Sequence, residues 1–102
     1  MRGARLEHAF AEVWRAAVLL ARSQPRWHVV ETDPAAGRIV AESTSRMWKF
    51  VDDVVIDLSL DENGFTRVDV SSHSRKGRFD FGVNGRRIRS FLRKLERALP
   101  DR

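Results

Sequence analysis

SHSRKGRFDFGVNGRRI, Ser72–Ile88, divides the chain in two. Before it, apolar residues alternate with polar ones, the period of a strand. After it they recur at three and four, the period of a helix. The stretch holds three of the chain's six glycines, together with Asp80 and Asn84, residue types suited to opening a helix. A block of strands that gives way to a helix, without regular strand–helix alternation, points to an α+β fold.

Downstream, the spacing predicts a helix from about Phe81 to Leu99. Phe81, Ile88, Phe91, Leu92, Leu95 and Leu99 form its apolar stripe, and Arg86, Arg89, Arg93 and Arg97 lie along an exposed one. Asp80 is the N-cap candidate and Pro100 the stop. Immediately upstream lies a hairpin. Val54, Ile56, Leu58 and Leu60 face one way, and Asp53, Val55, Asp57 and Ser59 the other. Asp61-Glu62-Asn63-Gly64 makes the turn, Asn-Gly being suited to positive backbone angles. The partner strand, Phe65 to Arg75, puts Val68, Val70, Ser72 and Ser74 on one face and Arg67, Asp69, Ser71 and His73 on the other.

Further upstream, Trp27–Thr32 and Arg38–Ser43 read as two more strands joined by the turn Asp33–Gly37, where proline presets one backbone angle and glycine supplies the positive one. No Gly or Pro marks a turn between Arg38 and Leu60. The chain is expected to bend across Thr44–Lys49, with the next strand under way by Phe50. At the N-terminus, Leu6, Phe10, Val13, Ala17 and Leu20 fall at helical spacing. The reading is a helix from about Leu6 to Arg22, ended by Ser23-Gln24-Pro25, with Trp14 as a core or rim aromatic. The expected architecture is one α+β domain over residues 1–102. It is a two-layer sandwich of helix, four strands and helix, an antiparallel meander with both helices on one face.

Composition narrows the function. At 102 residues with 42% hydrophobic and 32% charged residues, the chain suits a soluble globular domain. It has no cysteine, hence no disulfide framework or thiolate site, and a cytoplasmic location is expected. No apolar run suits a signal peptide or a membrane span. The net charge of +5 is uneven: Arg75–Arg97 has nine basic residues against two acidic, whereas Glu31–Glu62 has eight acidic against three basic. Such asymmetry steers anionic partners, or simply solvates a face.

Strand parity gathers candidate site residues. Asp52 begins one strand on the core side, and Ser72 and Ser74 end its hairpin partner on the same side. Ser43 comes from the strand before. The loop into the last helix leaves from this end, so Asp52, Ser72, Ser74, Arg75, Asp80, Asn84 and Arg87 are expected to converge as a low-polarity sheet turns polar. This cluster has two readings: arginines and free helix amides holding a small anion oriented by Asp52, or a buried ion pair and cap network holding the fold. No metal site is expected, because His8, His28 and His73 lack ligand spacing, and no cofactor is expected. Ser72 and His73 point to opposite faces and cannot form a nucleophile–base pair. Gly77, Gly82 and Gly85 sit outside any parallel strand–helix–strand unit, so they are no dinucleotide fingerprint.

FVDDVVI at Phe50–Ile56, RVDV at Arg67–Val70 and SRKGRFDFGVNGRRIRSFL at Ser74–Leu92 resemble the pattern of domain-of-unknown-function family 1499. The positions that carry it are Asp52, Asp53, Ser74, Arg75, Gly77, Asp80, Gly82, Asn84, Arg87 and Ile88. PRWHVV at Pro25–Val30 and GRIVAES at Gly37–Ser43 are similar to its upstream part. The chain departs from the pattern at Ser71 and Phe79. The resemblance implies a shared fold and no particular activity.

The leading functional expectation is a non-enzymatic module whose polar strand-to-helix junction accepts an anion or small polar ligand. One alternative is an enzyme with Asp52 or Asp80 as acid/base and Arg75 or Arg87 as a clamp. The other is an adaptor that binds nucleic acid or an acidic partner through Arg86, Arg89, Arg93 and Arg97. The absence of a reading motif or aromatic platform argues against nucleic acid. Oligomeric state is left open, with sheet-edge pairing available to an exposed strand.

Overall fold

Alternation in the middle of the chain becomes sheet and the two apolar stripes become helices. A computed structural model describes residues 2–44, 50–74 and 83–99. In chain order the elements are β1 (Arg2–Leu6), α1 (Phe10–Ser23), β2 (Trp27–Asp33), β3 (Arg38–Thr44), β4 (Val51–Leu60), β5 (Thr66–Ser74) and α2 (Val83–Ala98). The strands form one antiparallel sheet in the order β1-β5-β4-β3-β2. The fold is α+β, as expected, with five strands in place of four.

The extra strand corrects the N-terminal reading. Leu6 belongs to the helical series only by spacing. It closes β1 and is buried there at 8% exposure, while α1 begins at Phe10. β1 pairs along β5 from Arg2↔Val70 to Leu6↔Thr66. Side chains pin it at one end. The Arg5 guanidinium donates to Asp61 Oδ2 and sits 4.7 Å from the centroid of the Phe65 ring. Thr66, fully buried, donates its hydroxyl to the His8 carbonyl at 2.7 Å.

The core lies on one face of the sheet. Ile39 and Ala41 of β3, Val54, Ile56 and Leu58 of β4, and Val68 and Val70 of β5 are all buried. Val13, Ala17 and Ala21 of α1 and Ile88, Phe91 and Leu95 of α2 cover them. Full burial of one such side chain contributes about 1.5–3 kcal/mol. Trp27 stacks on Phe91 with centroids 5.5 Å apart, and Trp14 stacks on Phe10 at 6.4 Å. Leu60, read as core-facing, is 61% exposed at the end of β4 beside the hairpin turn. Of the bend expected across Thr44–Lys49, Thr44 still belongs to β3, while residues 45–49, Trp48 among them, lie outside the described residues.

The hairpin turn is built on Asp61. Its Oδ1 accepts the N–H groups of Asn63 and Phe65, and Gly64 takes φ +81°. Partial burial opposes the charged carboxylate. The bond from Arg5 and those from the backbone of Phe65 and Asn63 outweigh it, so the Asp61 carboxyl sits below its ordinary 3.8. A carboxyl depressed by folding stabilises the fold fully above its ordinary value and loses that contribution as pH falls through the folded value. Urea unfolding of wild type should therefore weaken below about pH 4, and Asp61→Asn, which keeps the turn's acceptor but not the charge, should flatten that acid limb. Parallel limbs in the two proteins would refute the assignment.

Candidate functional site

The apolar face turns polar at one end of the sheet, as strand parity predicts. Ser43, Asp52 and Ser74 stand directly opposite one another on β3, β4 and β5. Ser72, one step inward on β5, is opposite Val54. Asp52 is 1% exposed and Ser43 4%. A carboxylate so placed needs a partner, because an uncompensated buried charge is strongly unfavourable.

The partner is Arg87. It shares a helix face with Phe91 and Leu95 at spacings of four, so the stripe that buries those two side chains also turns Arg87 toward the sheet. Arg87 Nη1 donates to Asp52 Oδ2 at 2.9 Å and to Ser72 Oγ at 2.9 Å. The two side chains are 16% and 2% exposed. One guanidinium nitrogen carries two hydrogens, so it satisfies both acceptors without competition. The bridge ties the first turns of α2 to β4 and β5 at once.

Ser74 is different. Its Oγ is buried and makes no hydrogen bond among the described residues. Parity turns it to the face that carries Asp52, its neighbour across the ladder. His73 is exposed on the opposite face, across from Asp53, so it takes no part in the Asp52 cluster. Of the other expected members, Arg75 and Asp80 lie outside the described residues, and so does the side chain of Asn84. Among the described residues no group of three His, Cys, Asp or Glu is arranged to hold a metal ion.

Arg86, Arg89, Arg93 and Arg97 are exposed along α2. Lys94 reaches across to Gln24 Oε1 at 3.2 Å, joining α2 to the end of α1. A groove also lies away from the polar junction, where α1 meets the last turn of α2. The sequence reading missed it. The available signal is the unbroken apolar run Ala16–Ala21, too long to fit one buried stripe of a helix, which leaves Leu19 68% exposed.

A family model described as "Protein of unknown function (DUF1499)" matches residues 1–95. The chain belongs to this family. The DUF1499 match spans the whole sheet, α1, and the turns of α2 that carry Arg87, Ile88 and Phe91, so Asp52, Ser72, Ser74 and Arg87 all fall inside it. Family membership assigns the polar junction no activity. No curated protein matches the chain. No described helix is long and apolar enough to cross a membrane.

Proposed function

We propose that this DUF1499 domain is a non-enzymatic binding module whose polar junction accepts a small oxyanion, with Ser74 as the receiving hydroxyl. One observation carries the reading: Ser74 Oγ is buried yet has no hydrogen-bond partner among the described residues, next to a carboxylate that is already bound. Buried hydroxyls are normally satisfied, and an unsatisfied one costs about 1–3 kcal/mol. A ligand oxygen would recover that cost. Asp52, Arg87 and Ser72 form the frame of the junction and leave the ligand to Ser74 and the strand end.

Enzymatic use of Asp52 has less support. Its carboxylate is sealed from solvent and held by a guanidinium at 2.9 Å, a poor arrangement for a group that must take up and release a proton in each turnover. The exposed arginines of α2 support the polyanion reading only as far as any solvated basic face does. The proposed setting is cytoplasmic, on the cysteine-free composition alone.

Thermal-shift measurement with phosphate, sulfate and a library of small phosphorylated and carboxylated metabolites tests the proposal. Wild type should gain stability with at least one oxyanion class. Ser74→Ala should be more stable than wild type without ligand, by about 1 kcal/mol, and should lose the response. Ser71→Ala, on the outer face, should keep it. An equal response in Ser74→Ala, or none in wild type, would remove the proposal.

A further inference from the structure

One face of α1 is left open by the fold. Arg15, Ala16, Leu19 and Leu20 meet Ala98 and Leu99 around a groove of about 760 Å³, with Glu12 and Ser23 also on its wall. That size suits a small-molecule site, and the composition suits one too: a mainly apolar wall with few polar groups. Leu19 is 68% exposed, so contact there removes leucine surface that the protein itself leaves wet. Arg15 makes no ion pair or side-chain hydrogen bond among the described residues. Glu12, the acid on the wall, has an interaction partner already. The exposed residues Arg22, Arg93 and Arg97 add positive charge on the same two helices, against the exposed acid Glu96.

We propose that this groove binds a single-chain anionic amphiphile of the fatty-acid class. The alkyl chain lies along Ala16, Leu19, Leu20 and Leu99, and the carboxylate meets Arg15. The open leucine calls for an apolar occupant, and the uncommitted guanidinium beside it calls for a negative head. The inference rests on a different part of the molecule from the polar junction and stands or falls independently of Ser74.

Isothermal titration calorimetry with octanoate, decanoate and dodecanoate, each below its micelle concentration, tests it. Affinity should rise about two- to fourfold for each added methylene that the groove covers. Dodecyltrimethylammonium, with the same tail and a cationic head, should bind at least about tenfold more weakly than dodecanoate. Arg15→Glu and Leu19→Asp alter exposed positions, so both should keep the wild-type unfolding curve, and each should lower dodecanoate affinity about tenfold or more. Affinity indifferent to chain length, equal binding of the cationic amphiphile, or unchanged binding in both variants would overturn the assignment. So would sedimentation showing a dimer that Leu19→Asp dissolves, since a second copy would then occupy the groove. Binding confined to anionic vesicles, or preference for an acidic amphipathic peptide over dodecanoate, would overturn it as well.

Discussion

Asp52→Ala should cost about 3–5 kcal/mol of folding stability, the range for removing one partner of a buried ion pair. The loss is set by what remains behind. Arg87, only 16% exposed, would keep its charge but lose the carboxylate at 2.9 Å, and the methyl group of alanine cannot accept its hydrogen bond. For a domain of this size, each kcal/mol moves the melting temperature by roughly 4–8 °C, so the effect should dominate a thermal scan. Surface carboxylates give the contrast. Asp57, held by Arg38 at 2.8 Å with both side chains well exposed, should cost no more than about 1 kcal/mol when replaced by alanine. If Asp52→Ala melts with wild type, the junction is not held together by this pair.

Gly37→Ala should be nearly as damaging for a different reason. Gly37 has φ +71°, a left-handed conformation that costs an alanine about 1–2 kcal/mol. A Cβ there would also stand 2.3 Å from the backbone oxygen of Leu58, an overlap that side-chain rotation cannot relieve. The turn and β4 would have to separate, putting at risk the 2.7 Å hydrogen bond from Leu58 N–H to the Gly37 carbonyl. Together these should cost at least about 3 kcal/mol. Gly64, with φ +81° but open space around it, is the control. Gly64→Ala should cost only the conformational term, about 1–2 kcal/mol. Chemical denaturation of the two variants separates the effects, and equal losses would contradict the close approach at Gly37.

The parts of this fold that could be read from the chain are those whose signal is local. Two-residue alternation places Val54, Ile56 and Leu58 on the core face and Asp57 on the other, and the same parity brings Asp52, Ser72 and Ser74 to one polar end. The stripe of Ile88, Phe91 and Leu95 likewise declares a helix. β1 has no such signal. Its five residues, RGARL, carry one large apolar side chain, and the strand exists because β5 offers an unpaired edge and because Arg5 reaches Asp61 and Phe65. The start of α1 was equally silent: its N-cap is Ala9, which has no side chain to cap the first turn, so nothing separated Leu6 from the helical series. The site divides in the same way. That Asp52 is buried follows from parity, whereas its choice of Arg87 depends on how α2 docks. The groove beside Leu19 also depends on docking, since Ala98 and Leu99 come from the far end of α2.

A double-mutant cycle on Asp52→Ala, Arg87→Ala and the combined variant, followed by urea unfolding at neutral pH, tests the central claim most directly. If one ion pair fastens the last helix to the sheet and frames the junction, each single change takes from the other buried charge the partner it holds at 2.9 Å. The combined variant should then be destabilised by at least about 2 kcal/mol less than the two single losses added together. Losses that add within about 0.5 kcal/mol would mean that Asp52 and Arg87 act separately, and the account of the junction would fail.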